Sequence, residues 1–345
     1  MNGNLFANDV FERPTMDYKS AGVDIEAGEA LVDSIKPYVK ATRTPGVLSE
    51  IGLFGGFYDA RFPHLDHPVL VASTDGVGTK LTVAVDARVH DTVGQCLVNH
   101  CVNDILACGA RPLFFLDYFA TGRLEQGVAH DVIKGIAIAC RENGCALLGG
   151  ETAEMPALYA DGDYDMAGTI VGVVEKAKIL NGSRVAVGDV LIGLPSNGLH
   201  TNGYSLARAA LFPRYKVGEH LDALGCTVGE ALLQVHRSYL HIITPLLDAD
   251  LLNGLSHITG GGLVGNTSRI LADGLALHVN WGSWSMPPIF SVIQQAGDIS
   301  DEEMRHVFNL GVGMVMVVSP DRVDNVMRGC ELEQPFIVGS VVAAR

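Results

Sequence analysis

The chain has 345 residues, a length that suits two units at ~150 residues per domain. Apolar residues make up 48% and charged residues 18%, enough for a substantial core and too hydrophobic for disorder. Lys plus Arg number 24 against 39 Asp plus Glu, and the net charge of −15 argues against nucleic acid or an anionic membrane as a general partner.

Residues 1–17 read as a loose arm, with Asp9, Glu12 and Arg13 but no basic-then-apolar block of a signal peptide. No apolar run approaches the roughly 18 residues of a membrane span. The seven cysteines are odd in number and contain no C-x-x-C pair, so free thiols in a reducing cytoplasm are expected rather than a zinc site or disulfides. Periodicity then predicts a buried strand at 69–74, a helix at 92–108, a strand at 113–119 and a helix at 124–143. Strands follow at 146–148 and 166–174. The polar stretch 175–188 is the expected boundary. Beyond it come strand 189–194, helix 204–211, helices across 229–248, strand 255–258, helix 264–272 and strand 275–279. Helices near 289–296 and 301–307, strand 312–318, helix 322–329 and strand 336–342 complete the chain. Both halves mix the two element types, so the expected class is two α/β (or α+β) domains, 18–176 and 177–345.

The segment 92–108 is unusual. Val93, Cys96, Leu97, Cys101, Ile105 and Cys108 form an apolar stripe, while Gln95, Asn99, His100, Asn103 and Asp104 line the other side. A solvated face is normally rich in Lys and Glu; amides and an imidazole suit a cleft or a partner subunit.

Glycine, 40 residues or about 12% against a usual ~7%, points to loops where backbone approaches a ligand. Ser73-Thr74-Asp75-Gly76-Val77-Gly78-Thr79-Lys80 follows a strand. It offers turn amides, a hydroxyl, a lysine and a hard oxygen ligand to phosphate and Mg²⁺, or is merely a turn. Gly149-Gly150-Glu151 adds another carboxylate, and Asp75, Asp104 and Glu151 are plausible Mg²⁺ ligands or solvated acids. Thr259-Gly260-Gly261-Gly262 reads as a phosphate-holding nest; its formal G-x-G-x-x-G lacks the acid about 20 residues on that a Rossmann fingerprint needs. In the polar loop 195–203, His200 is a candidate for proton transfer, or the loop simply caps a helix. His257 reads as structural.

In this order, the stretches around 18–25, 74–80, 101–104, 109–122, 149–156, 163–168, 172–176, 200–206, 259–262 and 308–314 resemble the phosphoribosylformylglycinamidine cyclo-ligases (AIR synthetases). Asp104-x-x-x-x-Gly109-Ala110-x-Pro112 is similar to the signature of their wider ATP-dependent superfamily. One departure is Gly265-Asn266-Thr267-Ser268, where that family usually has an acid–Asn pair and a proline; 46–67 and the C-terminal tail also match poorly.

The resemblance implies two α/β domains, a homodimer joined through the N-terminal sheets in a barrel-like interface, and ATP bound near that junction. It implies ATP-dependent closure of formylglycinamidine ribonucleotide to aminoimidazole ribonucleotide. It also implies Asp75, Asp104 and Glu151 as Mg²⁺–phosphate ligands, and Lys80, Thr79 and the Gly76 and Gly78 amides as ATP contacts. Asn103 and Lys36 join the nucleotide site, and Thr259 with Gly260, Gly261 and Gly262 holds a phosphate. His200 and Asn202 fall to proton transfer or substrate positioning. The rivals are a superfamily relative such as a thiamine-phosphate kinase or hydrogenase maturation factor, a non-catalytic nucleotide-binding scaffold, and a nicotinamide oxidoreductase.

Overall fold

Residues 22–344 are described in a computed structural model, so the expected arm and residues 18–21 of the first matched stretch lie outside the described residues. The described residues begin with helix α1 (Ile25–Ala41), which the sequence reading does not anticipate. Asp24 caps it by accepting from the Ala27 amide, and only Leu31, Ile35 and Val39 are buried, a stripe too narrow to stand out.

The first sheet contains β1 (Pro68–Gly76), β2 (Arg111–Thr121), β3 (Ala146–Glu154) and β4 (Tyr164–Glu175) in the spatial order β1-β4-β2-β3. Helices α2 (Lys80–Ala87) and α3 (Asp91–Ala107) follow β1, and α4 (Gln126–Glu142) carries the chain from β2 to its parallel neighbour β3. Both other pairings are antiparallel. Strand alternation sends Val69, Val71, Ser73 and Asp75 of β1 toward α3, and Leu70, Ala72 and Thr74 to the opposite, exposed face. Helices α3 and α4 meet closely. A Cβ on Gly94 would lie 2.2 Å from the Val132 carbonyl oxygen, and one on Gly135 2.0 Å from that of Asp91.

The second sheet has the order β8-β10-β5-β11-β9, built from β5 (Val190–Pro195), β8 (Gly254–His257), β9 (Leu275–Val279), β10 (Val312–Val318) and β11 (Phe336–Ala343). All its pairings are antiparallel. All seven residues of β10 are buried, as an unbroken apolar run requires. Around the sheet lie α5 (Tyr204–Leu211), the short hairpin β6 (His220–Leu221) and β7 (Cys226–Thr227), then α6 (Val228–Leu232), α7 (Leu240–Asp248) and α8 (Gly262–Thr267). Helices α9 (Pro288–Gly297), α10 (Asp301–Val307) and α11 (Val323–Gly329) complete the half. One core cluster runs through both halves, joining Leu97 and Cys101 of α3 to Leu199, Tyr239 and Leu255.

Because β8 is an antiparallel edge strand and α8 spans six residues, the triple glycine opens no strand–helix–strand unit, and the Rossmann reading fails. All seven cysteines are free thiols. Among the described residues no helix is long and apolar enough to cross a membrane.

Candidate functional site

Helix α3 determines the site. Its amide face lies against the second half of the same chain. Asn103 is fully buried, donates to the Arg237 carbonyl oxygen at 2.8 Å and accepts from the Tyr239 amide at 3.0 Å. Asn99 donates to the His236 carbonyl oxygen at 2.8 Å and accepts from Asn143. These amides satisfy backbone groups of an irregular segment that would otherwise be buried without partners. Asn103 Nδ2 also lies 3.3 Å from His236 Nε2, so the side chain is turned wholly inward.

For Lys80 the sequence expectation is corrected. It is 0% exposed, and its ammonium donates to the His200 carbonyl oxygen (2.9 Å), the Gln234 carbonyl oxygen (2.7 Å) and Cys96 Sγ (3.2 Å). With all three donors used, it binds loops together instead of a phosphate. His200 lies in the left-handed region at φ 63°, a conformation that needs such fixing in a non-glycine residue.

At the junction of the halves the acids come from two elements. Asp75, at the end of β1, accepts from His100 Nε2 at 2.8 Å and from the Gly76 amide at 2.7 Å. Asp104, four residues beyond His100 on α3, lies 3.6 Å from the same nitrogen. Asp104 also accepts from His257 Nδ1 at 2.8 Å and from the Ser73 hydroxyl at 3.1 Å. Their side chains remain 41% and 26% exposed, open to a ligand. Burial alone would raise both carboxyl groups; His100 at Asp75 and His257 at Asp104 outweigh it and hold both below the usual range.

Behind these acids runs a closed chain. His100 Nδ1 meets Thr201 Oγ1 at 2.6 Å, Thr201 meets His236 Nδ1 at 3.3 Å, and His236 Nε2 meets His257 Nε2 at 3.0 Å. The two carboxylates end this chain, and Asn103 Nδ2 lies 3.3 Å from His236 Nε2 beside it. Burial pushes the His100 pKa down, but Asp75 and Asp104 outweigh it and raise it. His200 and His236 face no carboxylate, and burial holds both well below the ordinary range.

The other glycine loops gather at the same junction. Thr79 Oγ1 lies 3.0 Å from Ser205 Oγ, so the loop after β1 touches the first turn of α5. A Cβ on Gly78 would meet nothing within 4 Å, which leaves open space over that turn. Asn202 Oδ1 lies 3.1 Å from where a Cβ on Gly260 would be. Asn266, within the departure noted above, donates to the carbonyl oxygens of Thr259, Gly260 and Gly262 and holds that loop in shape.

Two expected ligands stand apart. Glu151 lies inside β3, not in a loop, and register places it in the row Gly76, Ala167, Tyr118, Glu151. That is three strand spacings from β1, about 14 Å, and its row faces away from Asp75. The three-acid set is therefore two acids within one chain. The preceding Gly150 makes room for Asp117, whose Oδ1 lies 2.1 Å from where a Cβ would be; burial pushes that carboxyl up to about 7. Lys36 is also separate, paired with Asp33 on the exposed side of α1 and lining a cavity of about 280 Å³ with Lys40 and Arg43.

His100, Thr201 and His236 escaped sequence reasoning as site residues. The spacing of His100 four residues before Asp104 was a usable cue, whereas His236 lies in an irregular segment with no pattern to mark it.

Two α/β halves share a core and bring Asp75, Asp104 and glycine-rich turns to one junction. The chain belongs to the AIR synthase related family: the model of that family's N-terminal domain matches residues 59–174 and that of its C-terminal domain residues 186–345. It is 52% identical over 335 residues to the phosphoribosylformylglycinamidine cyclo-ligase of Sorangium cellulosum, covering 95% of this chain and 96% of the relative. The enzyme of the same name from Trichlorobacter lovleyi is 50% identical over 333 residues, with 95% of each chain covered. The fold is shared with thiamine-monophosphate kinase from Stenotrophomonas maltophilia (TM-score 0.69, 17% identity, 90% of this chain and 94% of that one). It is shared also with the hydrogenase maturation protein HypE of E. coli (TM-score 0.64, 16% identity, 92% of each chain).

Proposed function

We infer that this chain closes the imidazole ring of a purine precursor, converting formylglycinamidine ribonucleotide and ATP to aminoimidazole ribonucleotide, ADP and phosphate. The observation that carries the reading is likeness at about half identity across nearly the whole length of relatives bearing that name. The cleft suits the chemistry. An amide carbon is a poor electrophile because its oxygen leaves badly. Transfer of the γ-phosphoryl group to that oxygen makes an iminophosphate, which the amidine nitrogen attacks within the same molecule, expelling phosphate. The chain's task is to hold the substrate curled, exclude water and place positive charge or N–H groups against the transferred phosphoryl group.

Gly76, Gly78 and Thr79 are assigned to the phosphates of ATP, and Thr259 with Gly260–Gly262 and Asn202 to a phosphate of the substrate or nucleotide. Asp75 and Asp104 are assigned to Mg²⁺. Each of their oxygens accepts one hydrogen bond within the protein and keeps a second lone pair, as a hard cation bound by two carboxylates and phosphate oxygens requires. When bound, the ion would neutralise charge on the phosphates. His100 lies beside both acids, and His100 at Asp75 and His257 at Asp104 favour their ionised forms.

Residues 18–176 would then bind ATP and dimerise, and 177–345 would hold the substrate. Two copies would pair through the open face of the first sheet, where Leu70 is 63% exposed and Leu116 and Tyr118 are each 38% exposed. A cytoplasmic setting suits the seven free thiols. A coupled assay of ADP release with formylglycinamidine ribonucleotide, following the imidazole product, tests the reading. ATP turnover with that substrate and Mg²⁺ is expected, and its absence overturns the assignment.

A further inference from the structure

We propose that His100 is a positioning residue which, through Thr201, couples the acids of the first half to the Asn202 loop of the second, so that nucleotide and substrate each raise the other's affinity. This coupling rests on the ring-closure reading and adds to it a route between the two ligands.

The contact that carries it crosses between the halves. His100 Nδ1, on α3, meets Thr201 Oγ1, in the loop between β5 and α5, at 2.6 Å. The two residues are only 3% and 8% exposed, so water does not compete for the bond. On the other side of the ring, Nε2 lies 2.8 Å from Asp75 and 3.6 Å from Asp104. One imidazole therefore touches both acids and the opposite half.

Donor counting gives these links a direction. Nε2 faces carboxylates and carries a hydrogen, so in the neutral ring Nδ1 accepts and the Thr201 hydroxyl donates to it. A hydroxyl has one hydrogen and two lone pairs. The lone pairs are met by His236 Nδ1 at 3.3 Å and by the Asn202 side-chain amide at 3.4 Å, which can only donate. Asn202 thus donates to Thr201, Thr201 to His100 and His100 to Asp75, and the hydroxyl has no capacity left. At the head of this series, Asn202 Oδ1 lies 3.1 Å from where a Cβ on Gly260 would be, against the triple-glycine loop assigned to a phosphate. A ligand that seats Asn202 on that loop also fixes Thr201, the His100 ring and the Asp75 carboxylate, because a displaced link would leave a buried polar group unmet. By linkage, a ligand at the acids favours the same seat for Asn202.

The test uses the full chain with Mg²⁺, formylglycinamidine ribonucleotide and an ATP analogue with carbon in place of the β–γ bridging oxygen, so that neither ligand turns over. Calorimetry should show the analogue binding about 10-fold more tightly when the substrate is present, and the substrate gaining by the same factor from the analogue. In Thr201→Val, which removes the hydroxyl at similar volume, the factor should fall below about 3, and Thr201→Ser should restore it. A contact that served the fold alone would lower stability and leave the factor unchanged. Binding of both ligands without mutual gain in the unaltered protein overturns the proposal, and so does a folded Thr201→Val variant that keeps the full factor. If that variant does not fold, His100→Gln, which keeps an N–H for Asp75 but loses the acceptor facing Thr201, is read in the same way. Failure of the unaltered protein to bind the substrate at all overturns the ring-closure reading, and this coupling with it.

Discussion

Lys80 illustrates how burial changes what a side chain can do. A lysine after a glycine-rich turn suggests a phosphate contact, but its ammonium is enclosed by two carbonyl oxygens and a thiol. Burial pushes its pKa below the ordinary lysine value, with only partial compensation from Cys96. Between that depressed value and the unfolded value near 10.4, the unfolded chain binds the proton more fully than the folded one. Stability from this group is therefore fully present above the unfolded value and is lost as pH falls through the folded one. Lys80→Met removes the titration and takes a donor from the Gln234 and His200 carbonyls, the second of which keeps the Tyr204 hydroxyl at 3.2 Å, at a cost of about 1–3 kcal/mol. Urea denaturation should show the variant less stable at neutral pH, with the gap widening as pH rises toward 10. A gap that narrows would contradict the assignment. At Asp104 the effect is on chemistry. Asp104→Asn retains an oxygen for His257 Nδ1 but removes a charge, so ADP release should drop by at least about 100-fold while the melting temperature moves little. Undiminished turnover would remove Asp104 from the proposed metal pair.

At the scale of elements, α3 joins the two halves. Its apolar stripe packs under the first sheet, and its amides bind the 236–239 segment. Replacing Asn103 with Leu keeps the branched shape in a larger side chain and leaves the Arg237 carbonyl and Tyr239 amide unmet. A loss of about 2–4 kcal/mol is expected, read by denaturation. Contact with α4 is set by glycine. Gly135→Ala would drive a methyl group to 2.0 Å from the Asp91 carbonyl oxygen, which is backbone and cannot swing away. Destabilisation of about 3 kcal/mol or more should follow, and a wild-type melting temperature would show that the helices can part without cost. Most elements were legible because their apolar periods are long: α5, β9 and β10 coincide with the expected 204–211, 275–279 and 312–318. Helix α1 was not, since three buried residues in 17 give no stripe. β3 runs six residues beyond expectation because Gly149 to Glu154 pair with β2 through backbone bonds that side-chain pattern does not report.

For the whole molecule, the outer face of the first sheet carries exposed apolar side chains. Leu70, Leu116 and Tyr118 share it with Glu151, across strands whose other side packs on α3. Exposed apolar side chains on β1 and β2, either side of β4, favour association, the basis of the dimer proposed above. Sedimentation should find the unaltered chain as a dimer and Leu70→Glu as a folded monomer; a monomeric wild type would sink that inference. Because Leu70 is largely exposed in the single chain, the substitution tests pairing without disturbing the core.

By itself the sequence determined the class of fold, the order of nearly all elements and the family, because these reside in local periodicity and in residue strings read along the chain. It also marked Asp75, Asp104, Asn202 and the triple-glycine loop, which tertiary contacts bring to one junction. Only the tertiary structure decided that Lys80 and Asn103 face inward, that register carries Glu151 about 14 Å away across the sheet, and that four histidines from distant segments lie within reach of each other. The reason is physical: burial, register and ring-to-ring distance are set by how the two halves pack, and spacing along a chain does not encode them.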